Sequence, residues 1–193
     1  MLFRSQGACY LEECLVLTRR EGIQSLTAMT LNNLGMSYEY QGEQEKALAC
    51  FGESLAIKEA LGDKRGTAVT LQNAARISRL RGDFVGALSQ LLRSLRLLLE
   101  LGDAPNGVIT LHGLGVLEAT LGRPLSAARL WGCWEATYEA HQIPLTPVDR
   151  EQTEAQFQET RAACLDPAAF NAAWQEGRQT AWKALATELL AQP

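Results

Sequence analysis

Apolar residues recur along this chain with the spacing of a helix, and that spacing is itself repeated every 40 residues. Leu31, Leu34 and Tyr38 stand at i, i+3 and i+7, one stripe of an amphipathic helix. Sliding the sequence by 40 positions superimposes Leu31, Leu71 and Leu111, and likewise Thr30, Thr70 and Thr110. Leu34, Ala74 and Leu114 follow, then the small residues Gly35, Ala75 and Gly115. Gly42, Gly82 and Gly122 coincide, then Ala47, Ala87 and Ala127, and finally Phe51, Leu91 and Trp131. Self-similarity at a fixed period marks stacked supersecondary units.

Each unit is expected to be a helical hairpin. Gly42 ends the first helix, because glycine accepts the left-handed conformation at a helix C-terminus. The second helix presents Ala47, Phe51, Ser54 and Leu55, and Gly35 leaves room for it to approach the first. Hairpins close with Leu61-Gly62-Asp63 and Leu101-Gly102-Asp103, in which the glycine stops one helix and the aspartate caps the next. Pro105 falls in a first turn, where its missing N–H is tolerated. Helix breaks are therefore expected near Gly22, Gly42, Gly62, Gly82, Gly102 and Gly122.

These columns resemble the tetratricopeptide repeat, most closely in Asn33-Leu34-Gly35-Met36-Ser37-Tyr38 with Gly42, Ala47 and Phe51. The second copy departs with Ala74-Ala75 and Ser78, the third with Glu118 at the tyrosine column. The period also exceeds the family's usual one, and the additional residues are expected to lengthen the second helix and its connection. The resemblance implies an all-α, right-handed superhelical solenoid of antiparallel hairpins over residues 1–141. It comprises a half repeat at 1–22 and repeats at about 25–62, 65–102 and 105–141.

Residues 1–22 match a second helix without its first: Leu11, Leu15 and Leu17 align with Phe51, Leu55 and Ile57. Their apolar face is expected to be covered by an upstream helix or, alternatively, by a second protomer in a homodimer. After residue 141 the period ends, and residues 142–193 are expected to cap the array with helices opening at Thr146-Pro147 and Asp166-Pro167 and running from Ala181 to Ala191. Trp131, Trp134, Phe170, Trp174 and Trp182 are expected to form one aromatic cluster. The blocks Ala127-Ala128-Arg129-Leu130-Trp131-Gly132, Ile143-Pro144-Leu145 and Phe170-Asn171-Ala172-Ala173-Trp174-Gln175-Glu176-Gly177-Arg178 resemble the C-terminal end of bacterial signal-transduction ATPases and LuxR-type transcriptional regulators. That resemblance implies a sensor or interaction module of a regulatory protein whose catalytic parts lie elsewhere.

Composition narrows the chemistry. A net charge of −4 with 18 basic residues argues against a general nucleic-acid surface. Five cysteines, an odd number without a CxxC pair, point to buried free thiols and a cytoplasmic chain. Only His112 and His141 are available beside them, so no metal set is expected. No apolar run reaches the roughly 20 residues that span a bilayer. The phosphate-loop, HExxH and GxSxG signatures are absent. No catalytic residue and no cofactor are expected.

What remains is recognition. In arrays of the tetratricopeptide kind the concave wall is built from first-helix side chains that point away from the second helix. Here those positions select Asn32, Met36, Tyr40, Gln72, Arg76, Arg79 and His112 as partner-binding residues. Asn32, Gln72 and His112 are expected to form a polar ladder, and Arg76 and Arg79 to share an acidic group. The expected partner is a protein or peptide, or a small effector, with neither nucleic acid nor membrane involved. Asn32, Met36, Ile109 and Gly113 replace the residues of the known C-terminal carboxylate clamp, which is therefore not expected.

Overall fold

A computed structural model describes residues 2–142 and 147–191. They form ten helices and no strand: α1 (Leu2–Arg20), α2 (Gln24–Tyr40), α3 (Gln44–Ala60), α4 (Lys64–Leu80), α5 (Phe84–Leu101), α6 (Ala104–Thr120), α7 (Pro124–Ala140), α8 (Pro147–Ala163), α9 (Pro167–Gln179) and α10 (Trp182–Ala191). The all-helical hairpin repeat is as expected. The distribution of its length is not: α2, α3, α4, α6 and α7 are each 17 residues. In the α2–α3 and α6–α7 hairpins both helices are thus equally long, and α5, at 18 residues, exceeds α4 by only one, so the wider period is shared by both helices.

The turns follow from backbone chemistry. Gly22, Gly42, Gly62, Gly82, Gly102 and Gly122 all have positive φ, between 64° and 80°. At the first complete hairpin, Gly42 N–H donates to Glu39 O and Glu43 N–H to Tyr38 O, a Schellman closure that satisfies the helix's last carbonyls. Asp63 then accepts from Gly66 N at 2.8 Å, and Asp103 from Asn106 N at 3.3 Å. Asp83 caps α5 in the same way, at 2.9 Å from Gly86 N.

The chain divides into two compact units, with the division inside α5 between Leu97 and Leu98. In the first unit, Phe51 is fully buried against Gly35, and a Cβ added there would lie 2.6 Å from the ring. Phe51 also joins Ala47, Ala74 and Ile77 in one core cluster. Ser54 donates to Ala28 O at 2.7 Å and Ser94 to Ala68 O at 3.0 Å, so the same bond recurs one period later. In α1, Ala8 and Leu15 pack on Leu31 and Leu34, with Leu11 partly buried beside them. Leu15 therefore does not belong to an open face, contrary to the sequence reading. Leu17 does, at 57% exposed, as does Tyr10 at 70%.

In the second unit, Trp131 lies against Gly115, repeating the relation of Phe51 to Gly35. Beyond its hairpin partner α6, the helix that packs most extensively on α7 is α9, and the intervening α8 touches it less. Two glycines make this close crossing: a Cβ on Gly132 would strike Trp174 O, and one on Gly177 would strike Arg129 O. α10 follows, with Trp182 over Gly107. The aromatic cluster differs from its expected membership. Phe157 of α8 joins Trp131, Phe170 and Trp174 at ring separations of 5.9, 5.2 and 6.2 Å, while Trp182 packs separately. The cap residue Thr146 and the block Ile143-Pro144-Leu145 lie outside the described residues.

Candidate functional site

The recognition residues fall into two groups, those on α2 and α4 in the first unit and His112 in the second. Asn32 was expected to be accessible and is not. It is 8% exposed and accepts hydrogen bonds from Thr70 Oγ1 at 3.1 Å and Asn73 Nδ2 at 3.2 Å. Lys58 continues the network, donating to Thr70 Oγ1 at 2.7 Å and Gly66 O at 3.3 Å. Burial lowers the Lys58 pKa, an effect partly opposed by Asp63. These groups tie α2, α3 and α4 together, so Asn32 acts from inside the wall and not as a rung of a ladder.

Further along the same helices the surface opens. Met36 is half-buried against the core cluster of Phe51, and Tyr40 is 66% exposed. Gln72 is half-buried and held by contacts of its own. Arg76 pairs with Glu39 through two nitrogens, so its charge is already balanced within the chain. The expectation that Arg76 and Arg79 share an external acid is corrected to that extent. Arg79 differs: among the described residues no carboxylate pairs with it. Its pKa is lowered, first by burial and then by the neighbouring charge of Arg76. A half-buried guanidinium beside a second one, without a counter-ion, is stabilised by any acidic group brought to it.

The equivalent face of α6 is covered. His112 Nε2 lies 3.5 Å from Thr153 Oγ1 of α8, and its ring packs 4.9 Å from Trp134 and 6.5 Å from Trp131. One turn on, Val116 is buried with Trp131 and Phe157. Beyond that point α8 parts from α6, leaving a cleft of about 670 Å³ lined by Ala119, Thr120, Leu125, Gln156, Thr160 and Ala163 among others. His112 is thus half-buried beneath α8, which meets it at the same 41-residue offset that brings Asn73 to Asn32. Phe157, which helps seat this helix, was missed in the sequence although it falls 40 positions after Leu117 and 80 after Ile77, both fully buried. Trp131 Nε1 is buried there without an acceptor.

Among the described residues, no group of three His, Cys, Asp or Glu side chains is placed to hold a metal ion. Cys9 and Cys14 are exposed, Cys133 and Cys164 buried, and all five thiols are free. No described helix is long and apolar enough to cross a membrane.

The family model described as tetratricopeptide repeat matches residues 10–60 and 26–100. The match covers α1 to α5, the helices in which the columns of the first unit were recognised, and supports a tetratricopeptide-repeat protein. Repeats of this kind are typically non-catalytic scaffolds for protein interaction. No curated protein matches the chain.

Proposed function

We propose that this tetratricopeptide-repeat array recognises an acidic segment of a protein partner on the α2–α4 face. In this reading Met36, Tyr40, Gln72, Arg76 and Arg79 supply the contacts, and Asn32 holds the two helices in register behind them. The observation that carries it is Arg79, a half-buried cation that no carboxylate among the described residues pairs with, next to Arg76 on the same helix face. The chain itself performs no catalysis. It serves as the sensor or interaction part of a larger bacterial regulatory ATPase or transcriptional regulator, as the resemblance of its tail implies, and acts in the cytoplasm.

The test is titration with a fluorescein-labelled acidic decapeptide of alternating glutamate and leucine. A charge-assisted hydrogen bond contributes about 1.5–3 kcal/mol, so Arg79→Ala is expected to weaken binding roughly tenfold or more. Equal affinity for the variant and the wild-type chain would overturn the proposal.

A second reading rests on α1. Tyr10 and Leu17 are mostly exposed, whereas Cys50 and Ile57 one period later are half-buried. An adaptor that dimerises through α1 would cover them. Sedimentation over a concentration series tests this reading, and a monomer at every concentration rejects it.

A further inference from the structure

The cleft between α6 and α8 holds about 670 Å³ and lies where both helices end, bordered by the α6–α7 turn and the α8–α9 connection. A space of this size is typical of small-molecule sites. Ala119, Pro124, Leu125 and Leu165 make up its apolar part. Its polar part is built almost wholly of acceptors. Thr120 Oγ1 donates to Val116 O and Thr160 Oγ1 to Gln156 O, each at 2.8 Å. Both hydroxyls have thus spent their proton on their own helix and keep only acceptor capacity. Glu159 and Asp166 add two carboxylates, and the amide of Gln156 supplies the lining's only side-chain N–H groups.

Nothing in the lining offsets this negative charge. Among the described residues no Lys, Arg or His borders the cleft. Arg123, in the adjoining α6–α7 turn, pairs with Glu118 at 3.3 Å. The helix ends act in the same sense, because the C-termini of α6 and α8 both carry the negative pole of a helix dipole. α8 also ends without the left-handed glycine that closes α2 to α6. As a result Ala162 O and Ala163 O accept no backbone hydrogen bond among the described residues. Carboxylates, hydroxyl lone pairs and two helix C-termini all stabilise one kind of guest, a cation that brings N–H donors.

We propose that this cleft is an effector site for a small organic ammonium compound. The charged head is held by Glu159, Asp166 and the end of α8, and the apolar body rests on Leu125 and Ala119. The guest is a free amine and not a lysine of a protein partner, since a cleft of this volume encloses a whole small molecule. The site belongs to the second unit and uses chemistry opposite in sign to that of Arg79 in the first. Either can fail without the other, because the acidic decapeptide reports on Arg79 and a cationic probe on the cleft.

The experiment titrates the full chain with three probes that share one body: 4-phenylbutylammonium, 4-phenylbutanol and 4-phenylbutyrate. Binding is read from the methyl resonances of Ala119 and Ala163 in a chain labelled at alanine. The ammonium probe is expected to bind roughly tenfold or more tighter than the alcohol, and the carboxylate probe to bind weakest. Glu159→Gln, at an exposed position, is expected to remove most of the preference for the ammonium head while leaving the alcohol unchanged. Ala163→Phe, also at an exposed position, is expected to fill the cleft and weaken all three. Equal affinity for ammonium and alcohol overturns the proposal, as does a head-group preference that survives Glu159→Gln. A Leu-Lys-Leu tripeptide, blocked at both ends, that binds more tightly than the free amine rejects a small-molecule guest. Should Ala163→Phe fail to fold, the head-group comparison in the wild-type chain and in Glu159→Gln decides the matter.

Discussion

The ammonium group of Lys58 donates to the hydroxyl of Thr70 at 2.7 Å, with both side chains inside the first unit. Thr70 has one proton and two acceptors in reach, Asn32 Oδ1 at 3.1 Å and Gly66 O at 3.0 Å. It is the shared member of a buried polar chain, so removing it strands its neighbours. Thr70→Val keeps the shape and deletes the hydroxyl. The expected cost is about 1–3 kcal/mol for the groups left without a partner, read as a lower midpoint in urea with an unchanged slope.

The close approaches at Gly35 and Gly177 have different tolerances. Gly35→Ala meets the ring of Phe51, a side chain, and overpacking of that kind costs about 1–3 kcal/mol. Combining it with Phe51→Leu is expected to cost less than the two single changes added together. Gly177→Ala meets the backbone of Arg129, which has nowhere to turn. It is expected to detach α9 and to change the emission of Trp174 while leaving the first unit's unfolding midpoint in place.

Cys133 provides a pH-dependent check. Burial pushes its thiol up to about 11, although Thr137 and Arg129 act in the opposite direction. A raised folded-state value favours the protonated form. Its contribution to stability is therefore complete below pH 9 and is lost as the pH rises through about 11. At pH 8, iodoacetamide is expected to label Cys9 and Cys14 promptly, and Cys133 only in denaturant. Mass spectrometry of the alkylated chain measures this directly, and rapid labelling of Cys133 in the folded chain contradicts the burial argument.

Arg76 and Arg79 should separate in their effects. Arg79→Ala removes a cation with no internal carboxylate and is expected to move the melting temperature by no more than a few degrees. Arg76→Ala releases Glu39, whose side chain is 12% exposed, and leaves an uncompensated carboxylate near the proposed site. The Arg76 variant is expected to be the less stable of the two. Thermal unfolding followed by circular dichroism compares them, and the opposite order would place Arg79 in the structural framework.

The repeat was legible because its positions obey steric rules that act locally. Glycine in the turns, aspartate at the caps and a small residue facing Phe51 or Trp131 each leave a mark in the sequence. The site was less legible, for two reasons. Asn32 sits beside Leu31 on a helix covered from two sides, and a single apolar stripe understates how much of such a helix is enclosed. His112 is half-buried under α8, a polar helix seated by Phe157 and Thr153; Phe157 falls on the 40-residue period after Ile77 and Leu117, but a run of Glu, Gln and Arg around it hides the match.

The crossing of α7 with α9 also governs the order in which the molecule assembles. Adjacent helices of the array are joined by turns of two or three residues, and such local contacts form fast. α9 must instead return over the whole of α8 and its two connections, a larger loop with a higher closure entropy. During synthesis α7 therefore waits with Ala128 and Gly132 uncovered until Phe170 and Trp174 have emerged. Apolar surface left uncovered in that interval is open to aggregation or to a chaperone until α9 docks.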